Sequence, residues 1–197
     1  MKKIVVDTKK SRGRPARLDR ARGAAVAAHL FHQEGYDQIG VASLCDALGV
    51  RQPALYRVFK NKAGLFDAAL ELYGQSPFAS FLSDEAECAK SSNDLMRRIL
   101  MRATEVYTAD PSRLGCMALE VAFNSKDQDA QRSASVMVEN TRAFLIEQFA
   151  SFGSENSTAL ADAVLITMRG LSSAARAGQD TATLKDAVDA LLSNIDR

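Results

Sequence analysis

Between Leu44 and Lys62 the chain carries two short apolar periods separated by a glycine, and this stretch restricts its possible folds more than any other. Leu44, Cys45 and Leu48 recur at helical spacing, and Gly49 follows where the chain must turn sharply, a place that favours a residue without a Cβ. Val50 is placed to plug the angle between the two helices. Pro53 stands in the first turn of the second, where its missing N–H costs little and its fixed φ is already helical. Leu55 and Phe59, four apart, form the inward edge. Arg51, Gln52, Ala54, Tyr56, Arg57 and Lys60 fall off that edge, a residue mix suited to base edges and phosphates. The pattern is a helix-turn-helix, and it implies DNA.

Charge is distributed to match. The net +1 of the whole chain conceals 13 Lys and Arg against 5 Asp and Glu in residues 1 to 62, and 12 against 19 in residues 63 to 197. A basic head on an acidic body implies an end that binds a polyanion and a remainder that is repelled by it. The head opens with an arm of Lys2, Lys3, Lys9, Lys10, Arg12, Arg14 and Arg17, interleaved with Gly13 and Pro15 and without apolar period, so residues 1–16 are expected to be disordered in solution. Arg12-Gly13-Arg14-Pro15 resembles short elements that lay arginines into a narrow minor groove, which makes Arg12 and Arg14 candidate DNA contacts. The alternative is a generic basic tail that adds salt-sensitive affinity.

From Gly49 to Leu65 the residues read Gly-Val-x-x-Pro-x-Leu-Tyr-x-x-Phe-x-Asn-Lys-x-x-Leu, which resembles the DNA-binding signature of the TetR family of one-component bacterial transcriptional regulators. The likeness extends over roughly residues 17 to 75, including a first helix that ends in Phe31-His32-Gln33-Glu34-Gly35-Tyr36. One departure is visible: the family places Ser or Thr at the start of the helix before the turn, where this chain has Gly40 and Val41. Ser43 is the nearest substitute for that cap and phosphate contact. The resemblance implies an all-α protein, with a three-helix DNA-binding domain over 17–62 and a larger helical domain over 63–197 for ligand binding and dimerisation. It implies a homodimer on double-stranded DNA, with Gln52, Ala54, Tyr56 and Arg57 at the major groove beside Arg51 and Pro53, and with Lys60 and Lys62 on phosphates.

Beyond the head, helices follow one another, broken by Gly, Pro or polar clusters, without a strand pattern. Leu65, Phe66, Ala69, Leu70 and Tyr73 mark a fourth helix from Lys62, with a new segment after Pro77. Further helices are expected over Leu95 to Thr108, Arg113 to Ser125 and Asp129 to Ser151, the last with Val136, Asn140, Ala143, Ile146 and Ala150 at helical spacing. Leu160, Val164, Met168, Leu171 and Ala175, then Leu184, Val188, Leu191 and Ile195, form two apolar seams with small residues beside the first. In proteins of this family such a pair builds a four-helix dimer interface, whereas the plain alternative packs the seams within one chain. A two-fold dimer also matches half-sites spaced along the duplex.

The family resemblance further implies a cavity for a small-molecule effector of unknown identity in the helical body. Phe81, Met96, Met101, Tyr107, Met117, Phe123, Met137 and Phe144 are candidate lining residues, although large adaptable side chains suit an ordinary core equally well. Arg97, Arg102 and Arg142 are possible partners of an acidic ligand or plain solvated charges. Cys116, in a Gly-Cys element at an expected helix N-terminus, is a candidate lining residue and electrophile or redox sensor, with a buried hydrophobe as the alternative. His29 and His32 lack a third ligand for zinc. No catalytic constellation, metal or cofactor is expected, and no membrane. Three scattered cysteines and the absence of a signal peptide point to a reducing cytoplasm. The resemblance implies a repressor released from a pseudo-palindromic operator by that effector, and two other readings stand beside it: a sequence-indifferent architectural protein, and a sensor acting through Cys116.

Overall fold

The computed structural model describes residues 18–193, apart from the side chain of Phe78. These residues form α1 (Arg20–Glu34), α2 (Val41–Leu48), α3 (Gln52–Phe59), α4 (Lys62–Gly74), α5 (Pro77–Cys88), α6 (Ser92–Thr108), α7 (Met117–Asn124), α8 (Gln128–Ser151), α9 (Ser157–Arg176) and α10 (Thr181–Ser193), with no strand among them. The all-α expectation holds. Arg12, Arg14 and the expected arm 1–16 lie outside the described residues, as does Ile195.

Local chemistry sets the boundaries. Asp19, Asn61, Ser91 and Asp127 each accept a backbone N–H from the first turn that follows, supplying partners that a helix start lacks within itself. The helix expected from Arg113 instead starts at Met117. Asp110 accepts from Ser112 N, Ser112 Oγ and Arg113 Nε, and the Gly115 N–H returns to the Tyr107 carbonyl, which holds 110–116 as a loop. These bonds hold the Asp110 carboxyl far below the usual carboxylate range.

Head and body share one continuous core. α4 packs chiefly on α1, and the rings of Phe31, Tyr36 and Phe66 meet at centroid distances of 4.9 to 5.5 Å. Phe31 and Phe66 are at most 1% exposed; each such ring stabilises the fold by roughly 1.5–3 kcal/mol of transfer free energy. In the body, α8 lies against α7 and α9, and α6 against α5, α9 and α10.

The stripe that marks α8 in the sequence is not the one its core uses. Ala130, Ala134, Leu145 and Phe149 are buried, whereas Val136, Asn140, Ala143 and Ala150 are exposed and Ile146 is half-buried. Both stripes recur at helical spacing, and the buried one carries the larger fully enclosed ring, Phe149.

The last two helices require a second correction. Val164, Met168, Leu171, Ala175, Leu184 and Val188 are buried within the single chain, and Leu160 is half-buried. The buried ones fill this chain's own core. Among the described residues of the expected seam, Leu191 alone is exposed, at 44%. The outer face of α9 carries a different stripe, Ala159, Ala163, Ile166, Gly170, Ser173 and Ala177, spaced alternately by four and three and exposed throughout, with Ile166 72% exposed.

Candidate nucleic-acid interface

The helix-turn-helix assembles as its residues require. Gly49 takes the left-handed conformation (φ 68°, ψ 33°), and its N–H and that of Val50 return to the Asp46 and Cys45 carbonyls, closing α2. Leu44, Cys45, Leu48, Leu55 and Phe59 are buried, with Val50 half-buried in the angle. Burial of the inward edge presents Arg51, Gln52, Pro53 and Arg57 to solvent, while Ala54 and Tyr56 are half-buried at its margins. Ser43 is exposed on the first turn of α2. Neither α2, which starts after Gly40, nor α3, which starts after Arg51, has a side-chain cap on its first N–H groups. Helix starts of this kind suit anionic oxygens.

The exit from α3 is unusual. Lys60 has φ 67° and ψ −53°, the single positive φ of a non-glycine among the described residues, and the Asn61 N–H donates back to the Phe59 carbonyl at 2.8 Å. This is a γ-turn, a strained geometry in which the chain reverses over one residue. It presses the Phe59 carbonyl onto α4, where a Cβ on Gly64 would lie 2.1 Å from the oxygen. Gly64 therefore fixes the angle between α3 and α4 by admitting that approach, and its N–H donates to Asn61 Oδ1 at 2.7 Å. Lys60 itself is exposed, as is Arg57 on the last turn of α3.

Lys62 does not join them. Its ammonium donates to the Tyr36 carbonyl at 2.6 Å and lies 4.1 Å from the Tyr36 ring centroid, and burial pulls its pKa down. The phosphate contact expected of Lys62 is thus replaced by an internal one. The same Tyr36 donates its hydroxyl to Asp127 Oδ2 at 2.5 Å, and beside it Asp37 accepts from Ser125 Oγ and Lys126 N. The α1–α2 turn of the head is thereby latched to the α7–α8 loop of the body. Burial, then the bond to Asp127, raises the Tyr36 pKa, while that bond depresses the Asp127 carboxyl. No periodicity marks Tyr36, Asp127 or Gly64 for these roles; the local signals near them are the Asn61 and Asp127 caps, which mark helix starts and not the latch.

A cavity of about 390 Å³ opens among α4, α5, α6, α7, α8 and α9. Of the expected lining, Phe81, Tyr107, Cys116, Met137 and Phe144 border it. Met96 and Met117 are core, Met101 is half-buried away from it, and Phe123 is 44% exposed under the Arg169 guanidinium, 4.0 Å from its ring centroid. Tyr73, Leu119, Asn140, Leu165 and Met168 are among the other residues of the wall; of these Met168 is a residue of the expected dimer seam. Arg97, Arg102 and Arg142 pair with Asp189, Glu105 and Asp162 outside the cavity.

Cys116 is buried, accepts the Tyr73 hydroxyl on Sγ at 3.4 Å, and donates its N–H to Ser172 Oγ. Burial pushes its thiol pKa up, against smaller opposing effects from Tyr73 and the N–H groups of Leu119 and Ala118. The lowered pKa needed for an activated sensor thiol is not produced. His32 is buried too; its Nε2 lies 3.0 Å from the Gly115 carbonyl and its ring meets Tyr73 edge-on at 5.7 Å. Burial lowers its pKa to about 4. His32 thus joins the end of α1 to the cavity wall and is not half of a zinc pair with exposed His29.

Comparison with known proteins places these features in context. The family described as "Bacterial regulatory proteins, tetR family" matches residues 24–69. The chain is 31% identical over 179 residues to the HTH-type transcriptional repressor BdcR of Escherichia coli K12, covering 88% of each. It is 35% identical over 112 residues to the repressor ComR of the same organism, covering 56% of this chain and 53% of that one. Among solved structures, the regulator CifR, as a cysteine mutant complexed with 26-base-pair operator DNA, superposes with a TM-score of 0.79 at 23% identity, over 91% of this chain and 98% of that one. A regulator from Streptomyces avermitilis superposes with a TM-score of 0.67 at 26% identity, over 86% and 97%.

Proposed function

The chain belongs to the TetR family of bacterial transcriptional regulators, and on that footing we propose that it is a homodimeric repressor released from a pseudo-palindromic operator by a small-molecule effector. The observation that carries the reading is the division of α3 into a buried edge, Leu55 and Phe59, and an exposed one bearing Arg51, Gln52 and Arg57. Arg57 suits a bidentate contact to guanine and Gln52 one to adenine, each worth about 1–3 kcal/mol of discrimination. Lys60 and the uncapped start of α2, including Ser43, hold phosphates. Arg12 and Arg14 extend the contact into the minor groove.

Two copies meet through the exposed α9 stripe centred on Ile166 and Gly170, and Leu191 of α10 is a further exposed apolar side chain. Small residues let the helices approach closely, and the exposed Ile166 supplies apolar surface for burial. Effector in the cavity displaces Tyr73 on α4 and the α8 wall, and the head follows through His32 and the Tyr36–Asp127 latch. The two α3 helices then no longer fit successive grooves. Ligand and DNA oppose each other by the same factor in both directions.

Selection of fragments from the source genome by the purified protein at near-physiological salt tests this. Recovery of sites with two inverted half-sites is the expected result. Recovery of fragments without a shared sequence, held only at low salt, contradicts it and marks an architectural protein. Ile166→Asp should yield a folded monomer by sedimentation, and an intact dimer would displace the interface from α9.

A further inference from the structure

Within the effector cavity one group is left incomplete. Tyr107 lines it, is 1% exposed, and its hydroxyl has no hydrogen-bond partner among the described residues. Buried hydroxyls are nearly always paired, because leaving one dry forfeits the water it had in the unfolded chain. The neighbouring cavity hydroxyl, on Tyr73, is already used on Cys116 Sγ. Thr141 is likewise spent on the Met137 carbonyl, and Ser83 on that of Ser80. Ser80 is half-buried, so Tyr107 stands as the fully buried donor without a partner, among the apolar side chains of Phe81, Leu119, Phe144 and Met168.

The rest of the lining narrows the ligand further. It contains no Asp, Glu, Lys, Arg or His, and its exposed polar members are Ser83 and Asn140, of which Asn140 carries the amide. An ionised ligand would enter without a counter-charge and lose its hydration unrepaid. Burial also holds Tyr73, Tyr107 and Cys116 in their neutral forms, so none of them supplies a charge. The volume, about 390 Å³, lies at the small end of drug-sized pockets.

Resting on the effector reading above, we propose that this cavity takes an uncharged, predominantly apolar carbonyl or ether compound whose oxygen accepts a hydrogen bond from the Tyr107 hydroxyl, with the remainder of the molecule directed past Phe144 to Asn140. Tyr107 is then the residue that selects an oxygen-bearing ligand over a hydrocarbon of the same shape.

The test uses the full-length protein loaded with the neutral fluorophore N-phenyl-1-naphthylamine and challenged with valerophenone, with pentylbenzene, which has CH₂ in place of the carbonyl, and with the anion 4-phenylbutyrate. Tyr107→Phe removes the hydroxyl alone; since that hydroxyl is unpaired without ligand, the variant should melt no lower than the parent. Valerophenone should displace the fluorophore and weaken about five- to tenfold in Tyr107→Phe, the value of one hydrogen bond. Pentylbenzene should bind both proteins alike, and 4-phenylbutyrate should displace it from neither. Unchanged valerophenone affinity in the variant, or displacement by 4-phenylbutyrate as effective as by the ketone, overturns the proposal and leaves the effector cavity standing. Failure of the fluorophore to bind at all overturns the effector reading itself.

Discussion

Replacing Tyr36 with Phe isolates the latch between head and body. The ring keeps its contacts with Phe31 and Phe66, and the backbone carbonyl keeps the Lys62 ammonium; the hydroxyl bond to Asp127 is lost. Hydrogen bonds to charged groups contribute about 1.5–3 kcal/mol. Asp127 is half-buried and retains the N–H groups of Asp129 and Ala130 through its other oxygen, so the lower end applies, about 1.5 kcal/mol. Urea denaturation of both proteins at one fixed concentration measures it. The difference also has a pH signature. Asp127 has a depressed folded pKa, so its contribution is complete above the ordinary carboxylate value near pH 4 and is lost as pH falls through the folded pKa. Tyr36 has a raised one, so nothing is lost on its side below about pH 10. The two stability curves should therefore stay parallel from pH 8 to 5 and converge in more acid solution, with the titration of His32 common to both and cancelling. A gap below about 0.5 kcal/mol, the ordinary scatter of surface substitutions, or one unchanged at pH 3, would refute the reasoning.

Further outcomes follow from other sites. Because burial lowers the His32 pKa from 6.5 to about 4, the unfolded chain takes up a proton that the folded chain refuses. Stability should therefore fall between pH 6.5 and 4 by on the order of 3 kcal/mol. His32→Gln keeps a donor for Gly115 and should flatten that slope; an equal slope in the variant assigns it elsewhere. Gly64→Ala drives a Cβ against the Phe59 carbonyl, a backbone atom that cannot rotate away. It should destabilise by more than about 2 kcal/mol and weaken DNA binding, and a neutral result in urea would remove the close approach from the account. Mass spectrometry during mild iodoacetamide treatment should find exposed Cys88 modified well before buried Cys116; the reverse order would restore the sensor reading.

The head was legible because its signals are local. A glycine at the turn, a proline in the first turn and apolar residues four apart each act within one or two helical turns, and Leu44 to Phe59 adopts the expected arrangement. The start of α4 at Lys62 was legible for the same reason. What sequence could not give depends on partners distant in the chain. Lys62 has the composition of a phosphate contact, and only the fold brings the Tyr36 carbonyl beneath it. α9 carries two stripes at helical spacing. The bulkier one, with Val164, Met168 and Leu171, satisfies the chain's own core, leaving the smaller-residue stripe outside. On α8 the same ambiguity fell the other way. In the cavity, Tyr107 and Phe144 border the void while Met96 and Met117 fill the core beside it, a distinction of a few ångströms that hydrophobic spacing does not encode.

The central claim is that the exposed edge of α3 reads bases, and it is tested most directly by one comparison. Fluorescence anisotropy would measure parent and Arg57→Ala on the selected operator and on a scrambled duplex of equal length, at one salt concentration. The account predicts a loss of roughly five- to 150-fold on the operator, the equivalent of about 1–3 kcal/mol, with a far smaller loss on the scrambled duplex. Equal losses on both would show that Arg57 holds only phosphate and would contradict the claim.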